Sequence, residues 1–591
     1  MANLHRRRLL RRTLIALAVC YLAAMGDAML PPSPIQCDGG RNECTLSNSY
    51  GVWPDREPCR VSAVFFPTTE AELRSAVADA VKKGLKLKVV SKFSHTIPKF
   101  ACPQIGVPNA LISTERYNQS IDVDEANLAV TADAGVGLRE LIDRVEAAGL
   151  SLAVAPYWEG VSVAGMISTG AHGSSWRGRG GAVHDHVTAI RLIIPATASE
   201  GFAKIVDLKN TDPLLNAAKV SLGLLGAISK VTFSLEPGFK RRVTFNYTND
   251  NGIENEFMNH GKKYEFGDIQ WYPSRHSAVY RYDDRVPIDT PGDGLNDFIG
   301  FQPNLITISQ SLRASEKAAE NTKSVDGKCV LASTFVAYKK LVANGFKNNK
   351  LVFTGYPVIG RQGKIQTSGS CLYSSSPATA CAWDPRIKGL SFYESAAIFP
   401  ATRFRDFIAD VKKLRDINPR SFCGADIYNG FLIRYVPRSA AYLAAPEDSV
   451  VVDFNYYRAD DAATPRLHQD VWEEVEQMAF FGHGARPHWG KNRHVAFTGA
   501  AEKYPKLREF VAAKAALDPA NVFSSDWSER VMAGNGGDAG DKEDGCALEG
   551  RCVCSEDRHC SPKNGYFCQH GRVYTLARVC RYSSNSTFSI I

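Results

Sequence analysis

No Walker-type phosphate loop and no GxGxxG run occurs in the chain, so neither a P-loop nucleotidase nor a Rossmann dinucleotide fold can be read from it. Paired CxxC units are missing too, which removes the usual spacing of a structural zinc site. Apart from a short N-terminal run, Leu14 to Ala24, no stretch is long and apolar enough to span a bilayer. Charge of one sign is also scarce. The formal excess is +8, and five Arg and one Asp among the first 28 residues account for half of it. The remaining excess, about +4, gives no electrostatic support to a nucleic-acid role.

What is present at the N-terminus reads as a signal peptide over residues 1–28. Arg6, Arg7, Arg8, Arg11 and Arg12 form a basic start, Leu14 to Ala24 an apolar centre, and Gly26-Asp27-Ala28 a small-x-small cleavage site. A signal anchor is the competing reading, but the apolar run is short for a span. Cysteine usage agrees with secretion, to the apoplast or a vacuole. Of 15 Cys, Cys20 leaves with the signal. The others fall into three even clusters: Cys37, Cys44, Cys59 and Cys102; Cys329, Cys371, Cys381 and Cys423; and six from Cys546 to Cys580. Disulfides within clusters are the simplest expectation, with pairing between clusters left open. Sequons at Asn118, Asn246 and Asn585 would be glycosylation acceptors there.

Residues 29–59 look like an irregular, Cys-stapled lead-in. From residue 60 to about 238, helical and strand patterns alternate with short connections. Pro67-Thr68-Thr69-Glu70 is a capping signal ahead of a helix from Leu73 to Lys83. Leu138 to Ala148 is a second helix, closed by Gly149. Strands are expected over Leu85–Val90, Ala110–Ser113, Asn127–Ala132, Val187–Ile194 and Leu224–Leu235. Residues 239–532 read as a second domain, a broad sheet with helices on one face. Residues 533–545 are a Gly/Asp-rich linker. The tail, 546–591, is too small for a core and needs its staples. Zinc in the tail, with His559 and His570 nearby, is the less favoured reading there, and no metal is expected.

Within the first domain lies Val161 to Gly173, VSVAGMISTGAHG. Small residues let backbone approach a ligand, and successive N–H groups in such a loop can line an anion site. A tight turn between two strands is the plain alternative. Together with Leu222 to Ile228 and Val231-Thr-Phe233, the stretch resembles the flavin domain of the vanillyl-alcohol-oxidase-type family. Pro487-His-Trp-Gly-Lys491 and Asp518-Pro519 followed by Phe523 are similar to the aldonolactone oxidoreductases, and the Cys-rich form most resembles their plant-type L-gulonolactone oxidase branch. The match covers about residues 60–530.

The resemblance implies an α+β protein. It would have a two-lobed PCMH-type FAD-binding domain, an α/β cap domain with a broad antiparallel sheet, and a small disulfide-rich tail. It also implies FAD as cofactor, with Ser91, Ser94, His95, Val161, Gly165, Ser168, Thr169, Gly170, His172, Gly173 and Ile228 at or near it. Animal relatives join the flavin covalently through the His of a GGGHS-type loop. This chain reads VVSKFSHTIPKFAC, where Ser94 meets that position without a gap and His95 with one inserted residue, so non-covalent FAD is expected.

For the chemistry, Lys491 is the expected cation for the reduced flavin or a substrate hydroxyl. His488 is expected to accept the alcohol proton or position the group that does. Arg434 is expected to grip the substrate. Relatives pair that Arg with a Glu two residues earlier, whereas this chain has Leu432. Asp426, Asp453 and Tyr456 are possible replacements that sequence does not separate. The expected reaction is oxidation of L-gulono-1,4-lactone to L-ascorbate with O2 going to H2O2. Oxidation of another aldonolactone or sugar acid is the alternative, and a weakly active extracellular binding protein the third reading. The expected partners are thus the lactone and O2, with no nucleic acid and no membrane span after signal removal.

Overall fold

The computed structural model of the chain describes residues 33–40, 42–47, 59–93, 98–295, 306–342, 357–367, 392–427, 430–533 and 543–583. The signal, Ser94, His95, Cys371, Cys381 and the expected strand at 351–356 lie outside them.

The first domain has two lobes. One holds a five-stranded sheet in the order Ile35–Gly39, Asn42–Leu46, Cys59–Phe65, Asn109–Ser113, Lys86–Val90. The lead-in is therefore not irregular over 35–46: it is a hairpin that extends this sheet, closed by Cys37–Cys44 and followed by the Cys59–Cys102 bridge. The other lobe is a five-stranded sheet in the order Ala203–Lys209, Val187–Pro195, Ala227–Ser234, Ala129–Asp133, Ile121–Asp124. Helix Glu70–Lys82 starts where the Thr69 side chain accepts the Glu72 N–H, and it buries Leu73, Ala76, Val77 and Ala80. Helix Leu138–Ala147 buries Leu138, Leu141, Ile142 and Val145, the three- and four-residue spacing of one face. Gly149 follows at φ +75°, a left-handed position that Gly takes without a Cβ clash.

The cap is an eight-stranded antiparallel sheet in the order Val358–Arg361, Lys240–Asn249, Ser277–Val286, Asp268–Tyr272, Phe431–Val436, Ser449–Tyr457, Phe392–Pro400, Arg486–Pro487. Because side chains alternate across a strand, its two faces differ completely. One face carries Ile269, Trp271, Phe431, Ile433, Val452, Phe454 and Phe399. These pack under helices Ile253–Lys263, Ala401–Ile417 and Gln469–Gln477 in one core. Each large side chain fully buried there contributes about 1.5–3 kcal/mol. The other face carries Asp268, Arg281, Asp283, Arg434, Asp453, Asn455 and Glu394, and it turns toward the first domain. Buried charges of that kind persist only when paired. Arg281 pairs with Asp268 at 3.3 Å and Asp283 at 2.6 Å, and Tyr157 of the first domain donates to Asp268 at 2.5 Å.

Past Arg486 the chain returns to the first domain. Trp489, Phe497, Tyr504, Phe510, Leu517, Val522, Phe523 and Trp527 belong to the same core as Leu73 and Leu141. The Leu87 N–H donates to the Val522 carbonyl at 2.9 Å. The second unit drawn over 239–532 thus ends, in packing terms, near residue 487, and the remainder completes the first. The 296–350 interval contains helices Ile306–Asn321 and Val325–Val342, and Cys329–Cys423 ties the latter to the cap.

The tail is a hairpin, Tyr566–His570 with Arg578–Tyr582, held by Cys546–Cys552, Cys554–Cys568 and Cys560–Cys580. All six described disulfides join cysteines of one cluster. The two sets of Cys and His close enough to hold an ion, Cys546 with Cys552 and His559 and Cys554 with Cys560 and Cys580, use sulfurs already in those bonds. No helix among the described residues is long and apolar enough to cross a membrane.

Candidate active site

The stretch Val161–Gly173 folds otherwise than a phosphate nest requires. Val163–Ser168 coils into a short helix, with Ser162 accepting the Gly165 N–H through its hydroxyl at 3.2 Å. Gly170 follows at φ +70°. The N–H groups of Gly170, Ala171 and Gly173 are spent on the carbonyls of Ile167, Met166 and Gly181. The expected row of free amides is therefore absent at these three positions, because the helix and the turn after it consume them. Gly173 is needed for packing: a Cβ there would stand 2.8 Å from the Ala155 carbonyl oxygen. Val161 and Ser168 lend their carbonyls to Leu138 and Leu222, Thr169 donates to the Gly165 carbonyl, and Ser91 accepts from the Phe93 N–H. Ile228 is buried in the first-domain core beside Met166 and Ile167.

What this stretch supplies to the site is His172. The next residues run along the cap strand Phe431–Val436: Ser175 N–H donates to Tyr435 O at 2.8 Å, Tyr435 N–H to Ser174 Oγ at 3.0 Å, and Trp176 Nε1 to Val436 O at 3.1 Å. That seam sets His172 against Arg434, whose Nη1 lies 3.5 Å from the His172 carbonyl. On the far side, residues 488–492 are sewn to strand Phe392–Pro400. His488 N–H donates to Ala396 O at 3.0 Å, and Asn492 N–H to Glu394 O at 2.9 Å. The turn brings Gly490 against Thr169, where a Cβ would stand 3.4 Å from Oγ1. The His172 and His488 rings are 5.3 Å apart.

The ring nitrogens have different jobs. His172 Nδ1 lies 2.9 Å from Gly173 O, so it holds the proton, and Nε2 is left as a buried acceptor with no partner among the described residues. His488 Nδ1 accepts the Gly490 N–H at 3.1 Å, so in the neutral ring Nε2 holds the proton. His488 is thus a donor, not the acceptor expected of it. Burial, then Lys491, push its pKa down to about 3; burial, then Arg434, push His172 well below its ordinary value. Both rings are neutral at physiological pH. Because the unfolded chain binds the His488 proton from about pH 6.5 downward and the folded chain does not, this stability term is complete above pH 6.5. It is lost as pH falls toward 3, at up to about 1.4 kcal/mol per unit. A His488→Gln protein is expected to show a flatter fall in melting temperature between pH 6.5 and 4 than the wild type; parallel curves would contradict this.

Beneath the rings, four side chains alternate in charge across the polar sheet face. Arg434 pairs with Asp453 Oδ2, Lys491 bridges Asp453 Oδ1 at 2.8 Å and Glu394 Oε1 at 2.6 Å, and all are buried or nearly so. Burial opposes the charge on Asp453, but Arg434 and Lys491 outweigh it and hold the carboxyl well below its usual range. Glu394 is raised by burial, with Lys491 opposing.

The register separates the three replacements considered for a Glu at position 432. Asp453 is the residue directly opposite Leu432 on the neighbouring strand, and it holds Arg434. Asp426 is engaged by Ser274, and Tyr456 lies in the apolar core. Leu432 itself packs on Tyr157, over which Arg434 also lies. Sequence reading missed Glu394, Asn455 and Tyr157. For Glu394 the signal was a single carboxylate in the apolar run FYESAAIFP.

Comparison with known proteins fits this arrangement. Residues 61–198 match a family model described as FAD binding domain, 391–531 one described as D-arabinono-1,4-lactone oxidase, and 543–582 the L-gulonolactone oxidase 2-like C-terminal domain. The chain is 61% identical to L-gulonolactone oxidase 3 of Arabidopsis thaliana over 558 residues, 94% of each chain. It is 45% identical to L-gulonolactone oxidase 2 of the same plant over 574 residues, 96% of this chain and 97% of the relative. Among solved structures, a solvent-stable cholesterol oxidase has the same fold, with a TM-score of 0.63 at 15% identity over 85% of this chain and 99% of that one.

Proposed function

The chain belongs to the plant L-gulonolactone oxidase family, FAD-dependent oxidases of the PCMH type that act on a lactone, and from that premise we propose that it oxidises L-gulono-1,4-lactone at C2. The 2-keto product tautomerises to L-ascorbate, and O2 is reduced to H2O2. The single observation that carries the reading is the Arg434–Asp453–Lys491–Glu394 row, polar and fixed, lying under His172 and His488.

The residues present fit a bound flavin. His172 Nε2 and Arg434 Nε are buried at the junction of the two domains without partners among the described residues, and a ring system with both donors and acceptors would satisfy them. FAD, when bound, accepts the hydride of the alcohol carbon. The loop at Thr169–Gly173 and the turn at His488–Lys491 would hold it from the two sides. Around it, the neutral His488 keeps a proton on Nε2 to donate to a substrate oxygen, and His172 Nε2 is left to accept one. Arg434, immobilised by Asp453, and Lys491, immobilised by two carboxylates, orient the hydroxyl-rich lactone at no cost in side-chain ordering during binding. Flavin held non-covalently and passage through the secretory pathway by way of residues 1–28 complete the proposal.

The purified protein is expected to be yellow, to be bleached by the lactone without oxygen, and to regain colour with oxygen as ascorbate appears. Acid precipitation is expected to leave the colour in solution. A colourless protein, or one indifferent to lactones, would sink the proposal. Leu432 favours one second reading, a different aldonolactone, because it puts an apolar contact with Tyr157 beside Arg434. Product analysis on gulono- and galactono-lactones separates the two.

A further inference from the structure

Three adjacent cap strands supply the polar row: Phe431–Val436, Ser449–Tyr457 and Phe392–Pro400. Two inter-strand steps span about 10 Å, close to the length of a six-carbon lactone with its side chain. At the end of the row farthest from Arg434, Glu394 and Asn455 are direct cross-strand partners on the same face. Glu394 uses Oε1 on Lys491, while its Oε2 is buried with no partner among the described residues. Asn455 Oδ1 is in the same position. Two oxygens that can only accept, side by side and buried, leave hydrogen bonds unmade at appreciable cost. Lys491 is committed to Oε1 and Asp453, and the unpaired Arg434 Nε lies two strands away. The row is least buried at Lys491, whose side chain is 18% exposed against 9% for Glu394.

We propose that Glu394 and Asn455 form an acceptor subsite that takes one specific hydroxyl of the lactone, making Glu394 a specificity-determining residue that contacts substrate. The ligand class follows from the chemistry. The missing partners are donors, the carboxylate is the stronger acceptor, and a polyhydroxy lactone brings O–H groups where an apolar or deoxygenated analogue brings none. Burial raises Glu394, so the empty subsite is prone to hold a proton that an incoming hydroxyl would displace. The inference rests on the lactone-oxidase reading of the site.

The test uses the holoenzyme, L-gulono-1,4-lactone and its monodeoxy analogues, with binding read from the flavin difference spectrum and turnover from oxygen uptake. In the wild type, one analogue is expected to bind about 10- to 100-fold more weakly than the parent, the others much less so. Glu394→Gln keeps an oxygen for Lys491 but places an NH2 where Oε2 stood. The parent lactone is then expected to lose that same factor, chiefly in KM, and the penalty for the deoxy analogue to vanish. The wild-type KM is expected to rise on acidification, and that dependence to flatten in Glu394→Gln. If Glu394→Gln does not retain flavin, Asn455→Ala, which leaves the Lys491 bridge intact, is expected to shrink the same penalty. A Glu394→Gln or Asn455→Ala protein that discriminates the analogues as the wild type does overturns the inference. A wild type that neither binds nor oxidises any lactone overturns the function proposed above instead, so the two failures are distinct.

Discussion

Lys491→Met lowers kcat/KM for the lactone by about 100- to 1,000-fold while the protein keeps its flavin. The reason is the geometry of the row. Lys491 is the one cation that touches both Glu394 and Asp453, at 2.6 and 2.8 Å. Without it, two buried carboxylates on neighbouring strands face each other, and removing one partner of a buried pair costs about 3–5 kcal/mol. The structure has one inexpensive response: Glu394, already raised by burial, takes a proton, while Asp453 stays ionised against Arg434. The site then loses both a fixed donor and a charged acceptor. Flavin is expected to stay because the first-domain core and the His172 seam are untouched. Lys491→Arg is expected to recover part of the loss, since a guanidinium can span the two carboxylates but not in the same place. Steady-state kinetics with the flavin-to-protein absorbance ratio decides the matter. Activity within threefold of the wild type would remove Lys491 from the machinery.

Some of this was legible in the sequence. Helix Glu70–Lys82 announces itself by the Thr69 cap, and Arg434 by its place in GFLIRY. His488 and Lys491 are visible as a motif, and the structure places them at the mouth that the motif implies. The rest depends on relations that sequence does not carry. Glu394, Arg434 and Asp453 are neighbours only because Phe392–Pro400, Phe431–Val436 and Ser449–Tyr457 lie side by side in an order that differs from their order in the chain. The replacement for a Glu at 432 is a register fact, Asp453 opposite Leu432, and a shift of one residue would have put Asp453 in the apolar face. The stretch Val161–Gly173 has the composition of a ligand loop, but composition does not say that its amides at Gly170, Ala171 and Gly173 are used internally. The return of residues 489–531 to the first domain has no compositional break to mark it. It is visible only in contacts such as Leu87 with Val522.

The tail offers the second large effect. Glu474→Ala is expected to free residues 572–574, raising the hydrogen-exchange rates of their amides by about 1,000-fold. Glu474 lies on helix Gln469–Gln477 and is fully buried. Its carboxylate accepts three backbone N–H groups, from Arg572 at 2.8 Å, Val573 at 2.6 Å and Tyr574 at 3.0 Å. Hydrogen bonds to a charged group contribute about 1.5–3 kcal/mol each, so even after relaxation the loss is several kcal/mol, and 1.4 kcal/mol is a factor of ten. The three disulfides hold the tail's own shape, so the change is undocking rather than unfolding. Gln477, which exchanges two bonds with Arg578, would become the main remaining tie, together with the Glu473 bond to the Cys580 N–H. The same helix carries Glu476, which accepts from Ser395 at 3.1 Å and pairs with Arg493. Those two flank Glu394 and Lys491 in sequence, so the helix that receives the tail also braces the polar row from behind. A rise in KM of a few fold is therefore expected to accompany the undocking, with kcat little changed. Unaltered exchange at residues 572–574 would show that the staple is elsewhere. Faster exchange with an unmoved KM would show that the tail docks without bearing on the site.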